Sequence, residues 1–242
     1  MEQILLNYSL TLLFLGVLAL GALAVVSLKM KRLSDPTREK LFFSIVSATL
    51  LPTMFVSLAT VYLNTVSASR GPVHWHADFE IWHCGKEIDL KDPKGLSNKI
   101  GTPTLHEHND KRIHLEGVVL EHNDASLGNF FHVIGGELTP TSFTVPTNQG
   151  ILSVVNGNTC AMGTQGAVQV FAYQVDKDNY YSQKKLTNPE QYIISPESNV
   201  PPADCLIIEF DTPKSRTDKL CRSYKVAEKI GKLKGERRTN GY

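Results

Sequence analysis

The sequence predicts an α+β protein in two parts. A two-helix transmembrane hairpin comes first, followed by one mostly-β extracytoplasmic domain with a short internal helix and a C-terminal helix. A β-grasp-like arrangement is one expectation for that domain. Three observations carry this reading. Residues 5–28 and 41–66 contain no Asp, Glu, Lys, Arg or His; the later chain alternates apolar and polar residues with a period of two; and all eight histidines lie between positions 74 and 132.

Bulk composition narrows the function classes. A net charge of +1 with 20% charged residues offers no basic excess for nucleic acid. The 242 residues suffice for one or two domains. The four cysteines (Cys84, Cys160, Cys205, Cys221) form no C-x-x-C pair, which excludes a zinc ribbon and a thioredoxin-like motif. The soluble part has no Walker loop, no G-x-G-x-x-G and no G-x-S-x-G.

Residues 1–67 are expected to form the hairpin. A 24-residue helix over 5–28 is long enough for a bilayer core of about 30 Å. A signal peptide is the competing reading, but Glu2 replaces the usual lysines, the apolar run is too long, and a second run follows. Gly16, Ala19, Gly21, Ala22 and Ala24 would let the second helix approach closely, and Pro52 is expected to kink it. The linking residues 29–40 carry five basic side chains against none in residues 1–4, which predicts a cytoplasmic loop with both chain ends outside, in a two-pass plasma-membrane protein. With no ionisable residue in either span, the hairpin reads as an anchor in the lipid bilayer or a docking surface for another membrane protein. Residues 68–242 then face a compartment where disulfides persist. Seven residues separate the second span from His74, at most about 25 Å of extended chain.

Residues His74 to Trp82 alternate as a strand does, with Trp75, Ala77, Phe79 and Ile81 on one face and His74, His76, Asp78 and Glu80 on the other. Cys84-Gly85-Lys86 reads as a turn and Glu87 to Leu90 as a returning strand. Residues 91–103 read as a loop. In Leu105-His106-Glu107-His108 and Ile113-His114-Leu115-Glu116 a second hairpin is expected, across which His114 faces His106 or His108 at about 5 Å between Cβ atoms. Three imidazoles so placed suit copper or zinc. His106, His108 and His114 are therefore the expected core ligands, with His76 or His74 completing the set. Glu107, Asp110 and Glu116 are candidates to ligate or to fix the imidazole tautomers. His83, His122 and His132 are expected to be structural or surface residues, the last on a short helix started by Asp124 and ended by glycines.

Known histidine motifs fit in part. His74-x-His76-x-Asp78 begins like the metallo-β-lactamase motif, but Phe79 breaks it, and the glycine spacing of the cupin motif is wrong. Barrel amidohydrolases need about 250 residues. The order His74-x-His76, Ile100-Gly101, Leu105-His106-x-His108, Ile113-His114-x-Glu116 and Ser126-Leu127-Gly128-x-Phe130-Phe131 resembles a family of extracytoplasmic His-rich domains in bacterial and archaeal membrane-anchored proteins. The resemblance covers roughly residues 74–210. It implies that these positions act as a unit and assigns them no activity. Members often carry N-G-K where this chain has Cys84-Gly85-Lys86, which suggests a job for Cys84 particular to this branch.

Farther on, residues 143–145, 151–155, 167–175, 191–194 and 205–210 read as strands or extended pieces, 176–190 as a polar loop and 217–233 as a helix with a basic end. Four cysteines allow three connectivities. Cys205–Cys221 would pin the last helix to the preceding strand and leave Cys84–Cys160 between two turns. Cys160-Ala161-Met162 and Cys84 beside His83 can also be read as soft copper ligands.

The leading expectation is a membrane-anchored protein that captures, buffers, senses or is held together by copper or zinc. The alternatives are an extracytoplasmic metalloenzyme, a zinc hydrolase or copper oxidase with Glu116 or Glu107 as base, and an accessory subunit of a larger membrane complex. Metal identity, substrate and partner have no signal in the sequence.

Overall fold

A computed structural model describes residues 2–29, 34–96, 98–160, 163–194 and 203–237. The chain divides into two units, Met1–Gly71 and Pro72–Tyr242.

The first unit is a pair of helices, α1 (Glu2–Lys29) and α2 (Asp35–Val66). Both are long and apolar enough to cross a membrane, with mean hydropathies of 2.5 and 1.9 over their spans. Leucine and phenylalanine side chains such as Phe14, Phe42 and Phe43 stand exposed around them. Threonine hydroxyls along α2 donate back to carbonyls four residues earlier, as Thr53 does to Thr49, so few polar groups are left outward. Pro52 has no N–H for the carbonyl of Ala48, and Gly16 comes closest there. A Cβ on Gly16 would lie 3.1 Å from Ala48 O and 3.2 Å from Pro52 Cγ. Of the small residues expected at the crossing, Gly21 meets nothing within 4 Å. The second helix starts at Asp35, earlier than the charge pattern suggests, because Pro36 suits a first helical turn. Arg38 and Lys40 thus ride on α2, and residues 30–33 lie outside the described part.

The second unit is built on a mixed sheet. Its strands are β1 (Pro72–His83), β2 (Lys86–Ile88), β3 (Ile100–Gly101), β4 (Leu105–Glu107), β5 (Arg112–Val118), β9 (Ala167–Val175), β10 (Tyr181–Lys185) and β11 (Asp204–Asp211). They run in the order β10-β9-β11-β1-β5-β4-β3, with β2 also on β1. The central pair β1 and β11 is parallel, and every other pairing is antiparallel. A smaller sheet holds β6 (Glu137–Leu138), β7 (Ser142–Thr147) and β8 (Gly150–Val155).

Alternation along β1 and β5 sorts the two faces. Ala77, Phe79, Ile81, Ile113 and Leu115 turn to a core shared with Phe143, Val145 and helix α3 (Leu127–Val133), whose Phe130 and Phe131 are fully buried. Each of the larger of these side chains contributes about 1.5–3 kcal/mol by leaving water. On the other face Phe171, Tyr173 and Ile207 pack under helix α4 (Arg222–Lys229), through Tyr224 and Ala227. The cover reaches the C-terminal half of β1, where Trp82 packs and the Arg222 N–H donates to Glu80, and the histidines occupy the same face nearer the start of β1 and on β5 and β4.

The sequence reading needs three corrections here. Helix α3 starts at Leu127 with Ser126 as its cap, because the Asp124 carboxylate already accepts the Glu121 N–H at 2.8 Å within the preceding 3₁₀ turn. The last helix is shorter than expected. Side chains of β9 and β10 hold the chain before it, since Tyr173 OH donates to Lys219 O and Thr217 N–H donates to Gln183 Oε1. Gly231, at φ +74°, ends it. The polar stretch expected as a loop contains β10, an edge strand whose side chains are mostly polar because only one strand pairs with it.

Cys84 and Cys160 lie at disulfide distance, as do Cys205 and Cys221. Cys84 and Gly85 form the β1–β2 turn with φ of +51° and +78°, a left-handed conformation that Asn and Gly enter more readily than Cys. The bond to Cys160 is what Cys84 adds at that turn. Residues 161 and 162, and with them the reading of Met162 as a copper ligand, lie outside the described part.

Candidate metal centre

The site is a row of imidazoles on neighbouring strands. β5 lies between β1 and β4, so His114 stands opposite His76 on one side and opposite His106 on the other. His74, two residues before His76 on the same face, stands opposite Glu116. His108 follows β4 and turns its ring back, with centroids 4.8 Å from His106 and 4.9 Å from His114. All five predicted ligands therefore lie in one run of neighbouring rings, joined through His114.

They do not converge equally. Among the described residues, His74, His76 and His114 bring one nitrogen each within 4.8 Å of the others, close enough to hold a metal ion. This group shares only His114 with the expected core trio of His106, His108 and His114. In the other group the His106 ring stacks on His114 at 6° and 5.5 Å, while His108 is edge-on to both. His76 meets His114 edge-on at 88° and 4.9 Å, and their nitrogens lie within 4.8 Å of each other.

Hydrogen bonds hold the tautomers. His114 Nε2 lies 3.1 Å from Asp110 Oδ2, and His74 Nε2 lies 3.1 Å from Glu116 Oε1. In a neutral ring each of these nitrogens donates to its carboxylate, which leaves Nδ1 as the ligand. His108 Nδ1 lies 2.7 Å from Asn98 O, a carbonyl, so Nδ1 carries the proton and Nε2 the lone pair. Two of the three acids expected in this role are therefore in place. Glu107 is not. It follows His106 on the opposite face, buried, and accepts backbone N–H groups of Lys111, Asn109 and Asp110, tying down the turn between β4 and β5. Burial still holds its carboxyl above the usual range.

Electrostatics keep the rings ready for a cation. Burial lowers the pKa of His76, helped by the charges of His114, His74 and Arg112. Burial lowers that of His106 as well, followed by Lys99 and His108. Neutral imidazole is the ligating form. Asp110 is drawn below the usual carboxylate range because the hydrogen bond and charge of His114 outweigh its desolvation.

Gly101 makes the β4 side of the row possible. It pairs with His106 at φ +113°, and a Cβ there would sit 2.5 Å from Leu105 O and 3.0 Å from His106 Cα. The remaining histidines stand apart: His83 packs on Phe210 at 5.7 Å, His122 opens the 3₁₀ turn and His132 sits in the last turn of α3.

A cleft of about 480 Å³ adjoins the row, lined in part by Asp78, Glu80, Asp110, Arg112, Val226 and Ile230. Arg112 Nε donates to Asp78 Oδ1 at 2.7 Å, and Asp110 is shared between the cleft and His114. Glu80 is pushed up by burial, although Trp82 Nε1 and Arg222 N–H donate to it. Sequence reasoning missed the cleft and Asn98. The wall formed by α4 comes from residues more than a hundred positions away, and a backbone carbonyl leaves no trace in residue identity.

Comparisons with protein-family models, with curated proteins and with solved structures find no match for this chain.

Proposed function

We propose that this chain is a membrane-anchored extracytoplasmic protein that binds copper or zinc and captures, buffers or senses the ion. The carrying observation is the convergence of His74, His76 and His114 within 4.8 Å. Three imidazole nitrogens with two carboxylate-held tautomers suit either metal. The anchoring part of the reading draws on two exposed apolar helices and on the basic residues between them. Cysteine pairs at disulfide distance support an oxidising compartment. The parallel β1–β11 pair with antiparallel neighbours supports a β-grasp-like relationship. Ile100-Gly101 and the histidine order support kinship with extracytoplasmic His-rich domains.

The test is metal titration of the full chain, purified in detergent and stripped with chelator. Zn²⁺ and Cu²⁺ should bind, with affinity lost when His76→Gln and His114→Gln are combined in one chain. Binding that survives both substitutions, or no binding by the wild type, would refute the reading.

The cleft favours a second reading, a metalloenzyme. Three protein ligands leave a fourth position for water, and Asp110 links that position to a concave surface. A metal-bound water that exchanges and titrates near neutral pH would select it.

A further inference from the structure

We infer that the imidazole row contains two overlapping ion stations sharing His114, along which one copper or zinc ion passes from the exposed end to the buried end. The inference rests on the metal-binding reading above.

Five adjoining imidazoles exceed what one tetrahedral ion takes. The ring contacts fall into two groups on either side of β5, each including His114. His74–His76 and His76–His114 measure 4.5 and 4.9 Å between centroids. His106–His108, His108–His114 and His106–His114 measure 4.8, 4.9 and 5.5 Å. The first group has its nitrogens converged. The second has rings at the same range, with His108 edge-on to both His106 and His114 and only His106 stacked on His114, so turning the His106 ring about its Cβ–Cγ bond is the step that would complete it.

Hydrogen bonding makes the stations alternatives. Asp110 occupies His114 Nε2, so His114 offers one lone pair, to one ion at a time. Asn98 O holds His108 with Nε2 available. His106 is 1% exposed, and its Nδ1 has no hydrogen-bond partner. A buried polar nitrogen without a partner is unfavourable, and ligation relieves it if the ring turns that atom to the ion. Exposure sets the direction: the side chain of His74 is 62% exposed and that of His114 13%, before the row ends at buried His106. Exchange through a shared ligand keeps the ion bound at every stage.

The experiment uses Cu²⁺ and the full chain in detergent, read by electron paramagnetic resonance and titration. At half an equivalent the wild type should give two overlapping spectra. His74→Gln/His76→Gln and His106→Gln/His108→Gln should each retain one spectrum, with affinity reduced only about twofold where the two stations are equally populated, because alternative states add their association constants. His114→Gln should lose both. Melting curves check folding, and His108→Gln alone, at a half-buried position, should remove the second spectrum if the His106 variant is unstable. A single wild-type spectrum unchanged in His108→Gln, with no binding by His74→Gln/His76→Gln, would overturn the second station while leaving the metal site standing. No Cu²⁺ binding by the wild type would instead overturn the metal reading itself.

Discussion

His76 and His114 face each other from neighbouring antiparallel strands, ring edge to ring face, with centroids 4.9 Å apart. The parallel β1–β11 pairing begins at Ala77, one residue after His76, on the other edge of β1.

Because Asp110 holds His114 through Nε2, Asp110→Asn should weaken metal binding about ten- to a hundredfold without unfolding the domain. Calorimetric titration of the variant checks this. Unchanged affinity would mean that the carboxylate does not orient the ring.

Gly101→Ala should lower stability by about 1–3 kcal/mol, since the left-handed backbone and the approach of Leu105 O both exclude a methyl group. Denaturant midpoints measure the loss. Metal affinity should fall in parallel at the β4 end, through His106.

Stability should depend on pH through His76 and His106, whose pKa values are lowered from 6.5 by burial. In the window below 6.5 the unfolded chain binds more protons than the folded one, so stability rises with pH through that window and acid removes it. Urea midpoints should therefore be lower at pH 5 than at pH 7.5, and His106→Gln should flatten the difference. A flat wild-type profile would contradict the burial argument.

The two cysteine pairs should differ in worth. Cys84–Cys160 spans 76 positions and Cys205–Cys221 spans 16. Loop-closure entropy then assigns about 4.5 and 3 kcal/mol. Replacing each pair by serines and comparing melting temperatures tests the order. A larger loss from the Cys205–Cys221 pair would show that packing under α4, rather than chain entropy, sets its contribution.

Much of this molecule follows from residue pattern alone. Charge-free runs make the two N-terminal helices, because nothing in them needs water. Period two places His74, His76 and Asp78 on one face of β1, because successive side chains in a strand must alternate. The His106–His114 opposition is likewise legible, since the turn Asn109-Asp110 leaves only a short hairpin between them.

What tertiary structure decided is which strands became neighbours and how each ring turned. β1 joined β5 across nearly thirty intervening residues, and that pairing, invisible in any local pattern, brought His76 to His114. The turn of each ring then brought one nitrogen each of His74, His76 and His114 within 4.8 Å, because the directions of the nitrogens, more than the spacing of Cβ atoms, determine whether an ion can be shared. Glu107 shows the same limit: its chemistry suited the site, but alternation sent it to the other face, where it anchors the turn. Residue identity determined which groups could ligate; strand pairing and torsion angles determined which of them meet.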